Sequence, residues 1–173
     1  KLGYVSQKSV MFSGSIASNI AFGEDGKKSV IDTEIQRAVD IAQGKEFVEK
    51  MESQYEAEIA QGGTNISGGQ KQRLSIARAI FRNPEIYLFD DCFSALDYKT
   101  DRVLRSRLKK EIKDATSIIV AQRIGTIIDA DRIIVLDKGG VVGFGKHQEL
   151  MKTCEVYQEI AYSQLSKEEL EVG

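Results

Sequence analysis

The stretch "SGGQKQRLSIARAIFRNPEIYLFDD", residues 67–91, constrains the fold more than any other part of the chain. Ser67 followed three residues later by Gln70 is the capping-box pattern that starts a helix. The helix predicted over 67–83 has to stop at Asn83-Pro84, because proline cannot continue it and forces the preceding residue toward extended backbone. An apolar run, residues 85–90, follows at once and reads as a buried strand, and it ends in two adjacent carboxylates, Asp90 and Asp91. A helix feeding an apolar strand that ends in paired acids points to an α/β chain with metal and water chemistry at a strand end.

The remaining pattern extends this reading. "LGYVS" (2–6) alternates as a strand that Gln7 ends, and residues 13–23 read as a short helix between a serine and a glycine. Residues 24–29 are a polar loop. The stretch 30–43 places Ile31, Ile35, Val39 and Ala42 near helical spacing, with Gly44 to stop it, and 45–52 is another short helix. Residues 55–65 carry no stripe and end in glycines, which predicts a loop. An amphipathic helix over 99–113, strands over 116–122 and 131–137, a short helix over 124–130 and a hairpin partner over 140–145 follow. The segments "HQELMKT" and "CEVYQEIAYSQL" are helical, and 166–173 is a tail expected to fray. Alternating apolar strands and helices predict a mostly parallel sheet covered on both faces.

Composition narrows the function classes. Of 173 residues, 42% are apolar and 29% charged, as in globular domains. The net charge of -2 gives no support for a nucleic-acid partner. Two cysteines, Cys92 and Cys154, are too few for a disulfide framework, so a reduced, cytosolic setting is expected. No apolar run approaches the ~18 residues of a membrane span, and no signal peptide is visible. The chain opens inside a strand-like run, which suggests an excised or truncated piece.

A nucleotide-hydrolysing domain of this class needs a phosphate loop, Gly-x-x-x-x-Gly-Lys-Ser/Thr, between an early strand and a long helix. "GVVGFGK" (140–146) comes near it. His147 follows where a hydroxyl is required, and the glycines fall inside a hairpin, so the hairpin reading is preferred. "NISGGQKQR" (65–73) is a better anion site. Its glycines sit at the start of a long helix, where unpaired N–H groups and the helix dipole favour an anion.

With these motifs the chain resembles the ATP-binding domain of an ATP-binding-cassette (ABC) transporter of the exporter type. The string Ile66-Ser67-Gly68-Gly69-Gln70 is similar to that family's signature motif, Ile86 to Asp90 to its Walker B strand, and Ser94-Ala95-Leu96-Asp97 to its D-loop. Gln7 falls where the family has its Q-loop glutamine. "FSGSIASNIAFG" and "ADRIIVLDKGGVVGFGKHQEL" resemble the stretches of exporters after the Q-loop and near the C-terminus. The resemblance implies a P-loop NTPase fold made of a helical subdomain (about 8–82), a RecA-like core (83–165) and the tail. It also implies that the N-terminal β-subdomain with the phosphate loop, and the transmembrane domain, lie outside this chain.

The same resemblance assigns roles. Asp90 and Gln7 would hold Mg²⁺, and Asp91 stands where the family has the glutamate that polarises the attacking water. Gln122, before Arg123, stands in the switch-histidine position. Asn65, Ser67, Gly68, Gly69, Gln70, Ser94 and Asp97 would face an ATP across a head-to-tail dimer with a second such domain. Aspartate is one methylene short, and a shortfall of ~1 Å can cost on the order of a hundredfold in phosphoryl transfer. Glutamine carries neither a positive charge nor a shuttled proton. The two departures together look like the degenerate half of a heterodimeric exporter at the cytoplasmic side of the plasma (inner) membrane. A homodimer with a slow site and a non-transport ABC ATPase are the alternatives. The segment 55–63 stands in the place of the exporter coupling loop or is a plain flexible loop, and the chain in isolation is expected to show no measurable ATPase.

Overall fold

The computed structural model describes residues 2–23 and 31–171. Two compact units divide the chain, residues 1–120 and 121–173. The loop expected over 24–29 lies outside the described residues.

In the first unit, β1 (Leu2–Val5), β4 (Ile86–Asp90) and β5 (Thr116–Val120) form a parallel sheet in the order β1-β4-β5. Leu2 pairs with Ile86 and Val5 with Phe89. Between β1 and β4 run β2 (Gly14–Ser15), α1 (Ile16–Ile20), α2 (Ile31–Ile41), α3 (Lys45–Glu49), β3 (Glu58–Ile59) and α4 (Gly68–Phe81). Helix α5 (Tyr98–Glu111) returns the chain from β4 to β5.

Helix α4 organises this unit. It packs against β1, α1 and α2, and buries Leu74, Ile76, Ala77 and Ile80. Each large apolar side chain buried in this way stabilises the fold by roughly 1.5–3 kcal/mol. Asn83 ends α4 in the left-handed region (φ 41°), which asparagine tolerates, and Pro84 then turns the chain into β4. Gly3 on β1 accommodates that proline, since a Cβ there would lie 2.6 Å from Pro84 Cγ.

Two local expectations differ from the structure. The helix expected over 13–23 is confined to Ile16–Ile20, because Gly14 (φ 132°) is not helical and Ser15 caps the helix by accepting from the Ser18 amide. The loop expected over 55–65 contains β3, paired with β2 through Gly14–Ile59 and Ser15–Glu58; two residues are too few to show a period. Among the described residues one face of the sheet is packed by the helices of this unit. Val5, Tyr87 and Phe89 are buried, whereas Leu2, Tyr4, Ile118 and Val120, on the opposite face, are each at least 50% exposed.

The second unit contains α6 (Ile124–Ile127), a hairpin of β6 (Ile133–Asp137) and β7 (Gly140–Gly145), α7 (His147–Thr153) and α8 (Glu155–Glu171). The hairpin forms its own two-stranded antiparallel sheet. The tail expected to fray from 166 continues α8 through Glu171. Ile133, Val135, Leu150, Cys154 and Tyr157 form its core.

Gly143 of "GVVGFGK" is explained by this packing. A Cβ on Gly143 would lie 2.8 Å from Cys154 Sγ and 3.0 Å from Leu150 Cδ2. Gly143→Ala is therefore expected to destabilise the second unit by about 1–3 kcal/mol through overpacking. Urea unfolding should show partial recovery in Gly143→Ala/Cys154→Ala, where the crowding sulfur is gone. A Gly143→Ala transition that matches the parent would contradict the packing reading.

Candidate functional site

The parallel register carries Gln7, just past β1, to the end of β4. There the Gln7 Nε2 donates to Asp91 Oδ2 at 3.0 Å across 84 residues of sequence. Asp91 is buried and left-handed (φ 43°), a conformation aspartate tolerates, and its own N–H donates to the Val120 carbonyl at 2.9 Å. The Ser94 hydroxyl donates to the Asp91 carbonyl at 2.9 Å and closes the turn that follows. The Asp91 backbone and side chain are thus both fixed.

Asp90 is the last residue of β4 and lies on the opposite face of the sheet. The Tyr4 hydroxyl donates to its Oδ2 at 2.9 Å. That bond to a carboxylate holds the Tyr4 phenol above its ordinary value. Tyr4 was not singled out from the sequence, although its alternation with Gly3 and Val5 places it on the same face as Asp90 once β1 pairs with β4. Among the described residues no cluster of three or more His, Cys, Asp or Glu forms a metal cage. The donor set suits Mg²⁺ nevertheless, since Mg²⁺ is usually held by one or two carboxylates with water and substrate phosphates. Asp90 would supply the carboxylate. Gln7 engages Asp91 through its amide nitrogen, which leaves its carbonyl oxygen for a hard cation.

The second half of the site is the start of α4. Ser67 Oγ accepts from the Gln70 N–H at 3.2 Å, and Gln70 Oε1 accepts from the Ser67 N–H at 2.8 Å, so the expected capping box is present. The N–H groups of Gly68 and Gly69 are left without intrahelical partners. Neither glycine has positive φ, and a Cβ on Gly68 would meet nothing within 4 Å. The chain itself has no use for glycine at Gly68, whereas a group approaching from outside would. Asn65 faces elsewhere: its Oδ1 accepts from Ala60 N–H at 3.0 Å and its Nδ2 donates to the Glu58 carbonyl at 2.8 Å.

Asp97 is exposed and caps α5, accepting from the Thr100 N–H at 2.9 Å. Its bonds to Thr100, side chain first and then backbone, hold its carboxyl below the usual aspartate value. Gln122 lies in the second unit, where its carbonyl accepts from Gln164 Nε2 at 2.6 Å. In the same unit His147 Nδ1 lies 2.9 Å from the Tyr157 hydroxyl, a packing contact of α7 on α8. Buried Gln72 is a second residue that sequence reading missed; a glutamine on the α4 stripe that continues through Ile76 and Ile80 is its signal.

Comparison with known proteins agrees with this geometry. The sequence profile described as "ABC transporter" matches residues 1–94. An "Uncharacterized ABC transporter ATP-binding protein" of Mycobacterium tuberculosis is 44% identical over 163 residues, 94% of this chain and 28% of the relative. A "Multidrug resistance ABC transporter ATP-binding and permease protein" of Lactococcus lactis is 37% identical over 166 residues, 96% of this chain and 28% of the relative. The chain thus spans little more than a quarter of the length of these relatives. A bacterial Atm1-family ABC exporter solved with ATP bound superposes with a TM-score of 0.88 at 36% identity, over 95% of this chain and 28% of that one.

The Asp97 cap gives a testable consequence. Asp97→Ala should cost about 0.5–2 kcal/mol, and Asp97→Asn should retain most of the cap. Because the folded-state pKa is lowered, the stabilisation is complete above the unfolded value of about 3.9 and is lost as pH falls through the folded value. Urea titrations at neutral and acid pH should show the gap between parent and Asp97→Ala narrowing in acid. A gap independent of pH would contradict the cap.

Proposed function

Because this chain belongs to the ABC transporter family, we propose that it is the ATP-binding domain of an exporter, working in a head-to-tail pair with a second such domain. The observation that carries this reading is the joining of Gln7 to Asp91 beside Asp90, together with an open, capped α4 start elsewhere in the same unit. One half-site serves the chain's own nucleotide and the other serves the partner's.

At its own site Asp90 and the Gln7 carbonyl would hold Mg²⁺, which would supply charge neutralisation on the phosphates when bound. Asp91 occupies the position that orients the attacking water. Its carboxylate is held by Gln7 and its backbone by Val120, so it cannot advance to make up for its missing methylene. The resemblance puts Gln122 at the family's switch position, and a glutamine side chain carries no charge. The site therefore binds ATP and hydrolyses it slowly, as in the weaker half of a heterodimer. The signature residues Ser67, Gly68, Gly69 and Gln70 are intact and complete the partner's site. There the two free N–H groups and the Ser67 hydroxyl proton meet the γ-phosphate, and Asn65 acts indirectly by holding the 58–60 segment. Ser94 and Asp97 lie on the D-loop, at the dimer boundary.

Among the described residues no helix is long and apolar enough to cross a membrane. In this reading the spans belong to the transmembrane domain that the coupling loop, residues 55–63, would touch, and the domain works on the cytoplasmic side of the membrane. The firm bond between Gln7 and Asp91 also suits a second reading, a homodimer in which Asp91 is a slow but working base.

Asp91→Glu in the full-length, assembled protein separates the two. Impairment by length predicts a gain in single-turnover hydrolysis of roughly tenfold or more, within the range that a ~1 Å repositioning commands. An unchanged rate would place the limit at Gln122 or in geometry. A loss would favour Asp91 as the working base.

A further inference from the structure

Gln72 is fully enclosed, 2% exposed, one turn into α4 from the signature residues. A polar side chain is costly in such a position unless each of its groups is bonded. Its partners bracket Gln7. The Nε2 donates to the Ser6 carbonyl at 3.3 Å, and the Oε1 accepts from the Ser9 hydroxyl.

A second anchor repeats the arrangement further along α4. Arg78 Nη1 donates to the Val10 carbonyl at 3.1 Å, and Arg78 Nε donates to the Asn19 carbonyl at 2.7 Å. The segment after β1 is thus strapped along the signature helix at Ser6, Ser9 and Val10. Gln7 is exposed and has no burial of its own to fix it. Its bond to Asp91 depends on where the flanking backbone is held.

We propose that Gln72 is a positioning residue that fixes Gln7 against Asp91 by clamping Ser6 and Ser9, and so ties the signature helix to the chain's own nucleotide site. This rests on the function proposed above. A shift of α4 on engaging the partner's nucleotide then moves Gln7 with it, so one buried amide couples the two half-sites. Lys71 and Arg73, on either side, do not share the role: Lys71 Nζ donates to the Gly62 carbonyl at 2.9 Å and Arg73 Nη1 to the Gln43 carbonyl at 2.7 Å.

The test uses Gln72→Met, which keeps the volume and removes both bonds, and Ser9→Ala, which removes one bond from the loop side with little risk to folding. Both are made in the full-length, assembled protein. Amide hydrogen exchange over residues 6–9 should rise in both, more in Gln72→Met, while α4 keeps its protection. Single-turnover hydrolysis at the chain's own site should fall about tenfold or more in Gln72→Met with KM for ATP nearly unchanged, as expected when positioning and not ground-state binding is lost. Ser9→Ala should fall in the same direction, and the double variant should be no worse than Gln72→Met, because both act through one clamp. Unchanged exchange in both variants overturns the proposal. Raised exchange with parental turnover also overturns it, leaving Gln72 a core residue only. A parent without ATP turnover overturns the function proposed above instead. The exchange data, which need no nucleotide, tell that failure from failure of the clamp.

Discussion

The parallel pairing of β1 with β4 is the contact on which the first unit depends. It joins Leu2–Val5 to Ile86–Asp90 across some eighty residues of intervening chain. Such a pairing closes a long loop before it gains anything, so it forms only if the intervening residues contribute a core. Helix α4 supplies that core, burying its apolar stripe against β1, α1 and α2. Once the strands are side by side, period-2 alternation does the rest. Tyr4 and Asp90 meet on one face, and Gln7 reaches Asp91 at the strand ends.

The loop between the strands is therefore more than a connection. It carries α4, whose start is the proposed anion site and whose interior holds Gln72 and Arg78 against the segment after β1. The same helix stabilises the sheet, presents Gly68 and Gly69, and fixes the backbone beside Gln7. Three roles on one rigid element make them interdependent. On the function proposed above, that interdependence would let the occupancy of one half-site be felt at the other.

Much of this was legible in the sequence because its signals are local. The Ser67–Gln70 capping box, the stop at Asn83-Pro84, the strand into Asp90 and the hairpin over 133–145 each need only a few neighbouring residues, and the structure contains all four. The miss at residues 13–23 came from one glycine with positive φ, and the miss at 58–59 from a two-residue ladder. Tyr4 beside Asp90 and Gln72 behind Gln7 were hidden because each depends on a partner 63 to 86 residues away.

The central claim is that the capped start of α4 offers Gly68 and Gly69 N–H groups to a phosphate held by another domain. Amide hydrogen exchange at residues 67–70 of the full-length, assembled protein, with and without MgATP, tests it most directly. The account predicts that MgATP slows exchange at Gly68 and Gly69 in the assembled pair and leaves it unchanged in the separated chain. Equal exchange with and without nucleotide in the assembled pair would contradict it.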